Sequence, residues 1–278
     1  LDNDMTAPAA PALDFVTVRV SGNRTMHVTV FGPPDGATSV ALHGLGGSTK
    51  QNLPALIAVA ESYGLRIYAI DLPNHGRSGK VGVLQFRARH FADPILETVR
   101  ALQIRPAVIF GHSFGGQLAA LVAERLTQQS PQLVLINPAL GMPWDVKLRT
   151  CWRRPWRFLK LVEELGYDDD NIARNELYHA GRLLRSIADM FLDRELRPFR
   201  RLQATLALLL NVNTAAILTR LTIRGILPIV VQGRLDQSTP AGVDAHLVDG
   251  FHSWLHEASG PQALLTALST VFALPQPR

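Results

Sequence analysis

Cysteine is nearly absent: Cys151 stands alone in 278 residues. A lone thiol excludes an intrachain disulfide and any Cys-rich zinc site. Charge is sparse, at 18% of residues against 47% hydrophobic. That balance excludes global disorder and leaves apolar material for a sizeable core. The longest apolar stretch, about residues 204–218, is interrupted by Asn211, Asn213 and Thr214. It falls short of the roughly 18 uninterrupted apolar residues of a membrane span, so none is expected. Residues 1–13 are rich in Ala and Pro and lack a basic stretch leading into an apolar one. They read as a flexible N-terminal segment, not a secretory signal, with Met5 a candidate start. The expected location is cytoplasmic, with secretion after removal of a signal peptide left open.

What is present is a rhythm. Residues 15–20 and 26–31 alternate apolar and polar around the turn Ser21-Gly22-Asn23, as an N-terminal hairpin does. The pattern then changes to short continuous apolar runs at 39–42, 65–70, 107–110, 133–136 and 227–231. Strands buried on both faces read this way. Helical stretches at about 51–63, 86–102 and 114–128 separate them, and another fits 261–272. Alternation of this kind predicts an α/β fold with a parallel sheet. Between 138 and 226 the rhythm breaks into helical periodicity without strands. The expected organisation is a core of residues 14–137 and 227–278, with a helical cap at 138–226. An insert after the run ending at Ile136 emerges at the carboxyl edge of the sheet, where open α/β folds bind ligands. Residues 142–224 hold 15 Lys/Arg and 10 Asp/Glu, a net of +5 that equals the excess of the whole chain.

Gly111-His112-Ser113-Phe114-Gly115 follows one apolar run and opens a helix. This is a G-x-S-x-G nucleophile elbow in its required strand–turn–helix setting. The alternative for Ser113 is an N-cap at a glycine-rich helix start. A serine nucleophile needs a base, and the base needs an orienting acid. His252 is the expected base, with His256, His246 and His112 as competitors. His256, one helical turn from His252, also reads as a solvated surface residue. Asp236, directly after the run 227–231, is the expected acid, with Asp244 and Asp249 as rivals. The order Ser113, Asp236, His252 suits a hydrolase triad. His43-Gly44-Leu45-Gly46-Gly47 follows the run 39–42 and can aim the Leu45 N–H at an oxyanion, with the Phe114 N–H as partner. The loop lacks the Lys-Ser/Thr ending of a phosphate loop and the context of a dinucleotide site.

These pieces resemble the α/β-hydrolase superfamily. The matching motifs are His43-Gly44, Asp71-Leu72-Pro73-Asn74-His75-Gly76-Arg77-Ser78, Gly111-His112-Ser113-Phe114-Gly115-Gly116, Gly233-Arg234-Leu235-Asp236, and Gly250-Phe251-His252 with Glu257. Apart from the cap they cover residues 14 to 275. The resemblance implies an eight-stranded, mostly parallel sheet, a cap over the site, and a structural turn shaped by Asp71, His75 and Ser78. Two departures stand out. Asn74 occupies a position where the family usually has glycine, which asparagine tolerates in a left-handed conformation. Only 16 positions separate Asp236 from His252, where the family fits both a helix and a strand. The helix is therefore expected to be lost or reduced to one turn.

Trp144, Trp152, Trp156 and Phe158 are interleaved with Arg149, Arg153, Arg154 and Arg157. Such a pattern can bind nucleic acid, anionic lipid, or an acidic substrate such as a coenzyme A or carrier-protein thioester. The simpler reading has the tryptophans filling a cap–core contact and the arginines facing water. No nucleic-acid module accompanies the charge, so no nucleic-acid partner is expected. The apolar stripe at 202–221 reads as packing or, if it faces the site, as the lining of an acyl pocket. Asp168-Asp169-Asp170 lacks a histidine cluster at ligand spacing and reads as a solvated loop or helix start. Neither metal nor cofactor is expected. The expected activity is serine hydrolysis of a carboxylic ester of a hydrophobic small-to-medium molecule. Thioester hydrolysis, acyl transfer, cyclisation and C–C bond hydrolysis are the alternatives on the same residues. A non-catalytic ligand-binding member of the fold is a further one. Carrier-protein contact and oligomeric state stay open.

Overall fold

Apolar runs too short for helices must pair with one another, and here they do. The computed structural model describes residues 12–127, 129–139, 199–200, 203–204, 206–207, 214–234, 244–250 and 254–272. Its eight described strands are β1 (Asp14–Val20), β2 (Arg24–Phe31), β3 (Ala37–Leu42), β4 (Leu65–Ile70), β5 (Val108–His112), β6 (Gln132–Ile136), β7 (Pro228–Gly233) and β8 (His246–Val248). They form one sheet in the order β1-β2-β4-β3-β5-β6-β7-β8. Only β1/β2 and β2/β4 pair antiparallel, and β3 to β8 run parallel. The expected hairpin is β1–β2, in register through Val16 opposite Val28. The described helices are α1 (Thr49–Tyr63), α2 (Ala88–Ala101), α3 (Phe114–Arg125), α4 (Thr214–Ile223) and α5 (Gly260–Ser269).

Side chains alternate across a strand, so each strand feeds two cores. Val40 and Leu42 of β3 join the core beneath α2, α3 and α4, with Ile95, Leu118 and Ile217. Ala41 joins the opposite core beneath α1 and α5, with Leu56, Val59, Leu264 and Leu268. This three-layer arrangement explains why the central strands carry no polar alternation. β8 is only three residues long and lies within the shortened acid–base segment. The strand that segment had to supply is present, and residues 235–243 lie outside the described residues.

Most of the 138–226 insert also lies outside them, including Trp144, Trp152, Trp156, the interleaved arginines and the triple aspartate. Two members of the apolar stripe, Ile217 and Leu221, sit on α4 in the same core as Leu118 and Val122 of α3. They serve core packing. Another piece docks on the loop after β4. Gln203 Nε2 donates to the Gly82 carbonyl at 2.6 Å, and Arg200 donates to the Val81 carbonyl at 2.8 Å. Asn74, at φ 69°, takes the left-handed conformation expected of it. Its amide donates to Gln203 Oε1 at 3.1 Å and its Oδ1 accepts the Val81 N–H at 3.0 Å.

The end of α3 depends on a residue beyond α4. The last carbonyls of a helix lack intrahelical donors. The Arg224 guanidinium donates to the carbonyls of Ala123 (3.4 Å), Glu124 (2.7 Å), Leu126 (3.1 Å) and Gln129 (3.3 Å). Charged-group hydrogen bonds of this kind are worth about 1.5–3 kcal/mol net. Arg224→Ala is therefore expected to lower stability by about 2 kcal/mol, seen as a Tm several degrees lower. Arg224→Lys, a point charge without the planar fork, should fall between the two. An unchanged Tm in Arg224→Ala would refute this account.

Candidate active site

The sequence places Ser113 where a buried parallel strand must turn at once into a helix. β5 ends at His112 and α3 begins at Phe114, leaving one residue for the reversal. Ser113 takes φ 53°, ψ −118°, a conformation that costs a non-glycine residue about 1–3 kcal/mol. Its side chain makes no capping bond to α3, so the N-cap reading does not hold. The backbone is fastened on both sides: its N–H donates to the Ile136 carbonyl at 2.9 Å, and its carbonyl accepts the Gly116 N–H at 2.9 Å. Gly115 is required by close approach, since a Cβ there would run into the carbonyls of Leu42 and His43.

The loop after β3 passes against the serine. A Cβ on Gly44 would lie 3.2 Å from Ser113 Cβ and 3.1 Å from His112 Nδ1. Leu45, the next residue, packs on the core beneath α2 and α3. Phe114 is fully buried and meets Phe91 edge-on at 5.6 Å. Its N–H belongs to the first turn of α3, where no intrahelical acceptor exists. Both expected oxyanion donors thus come from chain segments that flank Ser113.

Two histidines and an aspartate hold that loop. His43 Nδ1 donates to the Gly44 carbonyl at 2.8 Å, and its Nε2 accepts the Leu72 N–H at 2.9 Å. His75 Nδ1 donates to the Pro73 carbonyl at 2.9 Å, and its Nε2 accepts the Gly46 N–H at 3.0 Å. An acceptor nitrogen on each ring makes both neutral Nδ1–H tautomers. Asp71 accepts the Thr49 N–H at the start of α1 (2.9 Å) and the Arg77 N–H (3.0 Å). Ser78 Oγ donates to the Asp71 carbonyl at 2.6 Å and accepts the His27 N–H at 2.9 Å. Asp71, His75 and Ser78 therefore shape a structural turn, as the resemblance implied, and the turn reaches into the Gly44–Gly46 loop. Burial drives the Asp71 pKa up, but the Arg77 and Thr49 N–H groups and nearby His43 outweigh it and hold it below 3.8.

Asp236 and His252 lie outside the described residues, as do the residues next to them in the chain. Among the rival acids, Asp244 is exposed, and Asp249 is an exposed side chain paired with Arg234 at 3.0 Å. A carboxylate spent on a surface pair is poorly placed to orient a base. His246 is a residue of β8. His256, expected as a solvated residue, is exposed yet engaged: its Nε2 meets Asn52 Oδ1 at 2.8 Å and its ring lies edge-on to His112 at 5.1 Å. Asn137 belongs to none of the motifs read in the sequence. Its Oδ1 accepts the Gly233 N–H at 2.8 Å and the Trp254 indole N–H at 3.1 Å. The available signal was an Asn-Pro pair directly after a buried strand, a turn signature. Among the described residues no group of His, Cys, Asp and Glu could hold a metal ion.

Burial pushes the His43 pKa below 6.5, and His256 adds to the fall against the opposing Asp71 carboxylate and Gly44 carbonyl. The unfolded chain takes up this proton near 6.5 while the folded protein resists it. The stability linked to His43 is therefore complete above that pH and is lost as pH falls below it. His27 and His90 are shifted in the same direction, each chiefly by burial. The urea midpoint is expected to drop between about pH 7.5 and about 5.5, and to drop less in His43→Gln. An equal drop in that variant would place the effect elsewhere.

A family model described as the alpha/beta hydrolase fold matches residues 40–189. The chain is 30% identical over 255 residues to a protein of Mycobacterium phage D29 named as a non-heme haloperoxidase, covering 87% of this chain and 90% of the relative. It is 32% identical over 131 residues to a protein of Agrobacterium fabrum named as a carbamate hydrolase, covering 44% of this chain and 49% of that relative. A hydrolase structure from Pseudomonas aeruginosa superposes with a TM-score of 0.63 at 18% identity, over 92% of this chain and 98% of the other, and shows the shared fold. The doubly covered sheet, the serine elbow and a family match spanning more than half the length agree: the chain belongs to the α/β-hydrolase fold family.

Proposed function

We propose that the protein is a serine hydrolase that cleaves carboxylic esters of hydrophobic small-to-medium substrates through an acyl-enzyme. The observation that carries this reading is Ser113, held at positive φ between β5 and α3 with the Gly44 loop against it. A serine kept in that conformation presents its hydroxyl above the carboxyl edge of the sheet. In this reading His252 removes the Ser113 proton as Oγ attacks the carbonyl carbon, and Asp236 holds the imidazole in the productive tautomer. The Leu45 and Phe114 N–H groups take the oxyanion. His252 then protonates the leaving alkoxide, and water activated by the same imidazole releases the acid. The side chains need neither metal nor cofactor for these steps. The similarity to a carbamate hydrolase supports attack at an acyl carbon. The elbow serine separates this mechanism from one with an aspartate nucleophile.

A second reading keeps the residues and changes the leaving group. The whole formal charge excess of +5 lies in the 142–224 stretch. A basic cap would favour an anionic acyl donor, such as a coenzyme A or carrier-protein thioester, by electrostatic steering. A panel of p-nitrophenyl esters against acyl-coenzyme A thioesters of matched chain length discriminates the two. A preference for thioesters that fades with added salt would favour the second.

Ser113→Ala is expected to abolish ester hydrolysis and fluorophosphonate labelling while Tm stays near wild type. Asp236→Asn should lower kcat by roughly 10⁴-fold through the wrong tautomer. Near-wild-type hydrolysis by purified Ser113→Ala would sink the mechanism. A silent Asp236→Asn beside a crippling Asp244→Asn or Asp249→Asn would move the acid elsewhere.

A further inference from the structure

Asn137 is fully buried in a left-handed turn (φ 42°) immediately after β6. Its backbone N–H donates to the Val231 carbonyl at 2.9 Å, extending the β6–β7 ladder by one rung. Its Oδ1 faces two donors on different segments, the Gly233 N–H at the end of β7 and the indole N–H of fully buried Trp254. Because both neighbours are donors, the amide oxygen and not the nitrogen must point at them. Two donors use both lone pairs of that oxygen. The same short segment grips the elbow, since the Ile136 carbonyl accepts the Ser113 N–H and the Ala139 N–H donates to the Ser113 carbonyl at 3.2 Å. Gly233 stands three positions before Asp236, and Trp254 two positions after His252.

We infer that Asn137 is a positioning residue for the hydrolytic reaction: it fastens the segments carrying the acid and the base to the segment that holds the nucleophile. The inference rests on the Ser113–Asp236–His252 reading. The physical need is plain. Acid, base and nucleophile leave from separate strands, and a displacement of about 1 Å in such a constellation can cost about 100-fold in rate. A backbone ladder fixes the strands but ends at their tips. A buried amide oxygen shared by two donors extends that fixation one step further. Removing it strands two buried N–H groups, so they seek other acceptors and take their segments with them.

The test is a double-mutant cycle on p-nitrophenyl butyrate hydrolysis, run well below the Tm of every variant. Asn137→Ala is expected to lower kcat by roughly 10- to 100-fold with KM within twofold. Trp254→Phe keeps the ring and deletes only the indole N–H. It should lower kcat by roughly three- to tenfold, and slow fluorophosphonate labelling of Ser113 in proportion. The double variant should be no slower than Asn137→Ala alone, because the indole bond is already gone. A lower Tm with kcat within twofold in both variants, or fully additive losses, would overturn the inference and leave Asn137 a stability residue. If Asn137→Ala fails to fold, Trp254→Phe decides alone: kcat within twofold of wild type refutes. Survival of hydrolysis in Ser113→Ala defeats the triad reading itself. Its loss there beside wild-type Asn137→Ala defeats only this inference.

Discussion

One residue is allowed for the turn from β5 into α3, and that constraint reaches across the molecule. Ser113 adopts φ 53° only because its surroundings leave it no alternative. β5 is locked between β3 and β6, and α3 is packed into the core through Leu118 and Val122. The backbone cost of about 1–3 kcal/mol is small beside the apolar burial that fixes those elements. Gly115 permits the turn to close against the end of β3, so the nucleophile segment and the Gly44 loop cannot be arranged independently. The proposed acyl chemistry needs that coupling. The donors that receive the developing oxyanion must be in place before the reaction, or their reorganisation joins the barrier.

The rigidity of the Gly44 loop comes from polar groups that are themselves buried and satisfied. His43 and His75 each use both ring nitrogens on backbone groups. Asp71 terminates the chain of dependence at the N-terminus of α1, where its charge is compensated by backbone N–H groups and by the helix dipole. The His43 ring lies 4.0 Å from that carboxylate, yet its own two hydrogen bonds require the neutral form. Burial and hydrogen bonding thus agree on the protonation state. Acid pH works against this hub, because a buried, doubly bonded imidazole resists the proton that the unfolded chain accepts.

The parts of this design readable in the sequence are those governed by neighbours along the chain. β4 coincides with the run that marked it, although Arg66 lies within it and sends its guanidinium to the Gly32 carbonyl and Asp14. The Ser113 elbow was legible because its glycines and its flanking elements are contiguous. β8 was not, since a three-residue edge strand is too short to show a period. Asn74 illustrates the boundary. Its tolerance of left-handed backbone could be anticipated, but its bond to Gln203 spans 129 positions and leaves no local trace. Asn137 is alike: its partners lie 96 and 117 positions away. The apolar stripe at 202–221 was ambiguous for the same reason, and only the α3 contact shows Ile217 and Leu221 to be core. Asp236 rests on chain order and on the surface placement of Asp244 and Asp249, and His252 on chain order alone.

The shortened stretch between Asp236 and His252 sharpens the role of what surrounds it. A full helix between the proposed acid and base would pack against the sheet and fix both ends by its own burial. With only 16 positions, three of them spent on β8, little chain remains to bury. Fixation must then come from the flanks. On one side the Arg234 N–H donates to the Val248 carbonyl at 2.9 Å, closing β7 onto β8. On the other, His256 is held to Asn52 of α1, and Trp254 is buried in the core beneath α1 and α5. Asn137 joins the two flanks at a single oxygen atom. A short segment between well-anchored ends has few conformations to lose, so ordering it costs less entropy than ordering a long loop. Brevity and firm anchoring are therefore complementary: ends already held at Gly233 and Trp254 leave a short connection little to position.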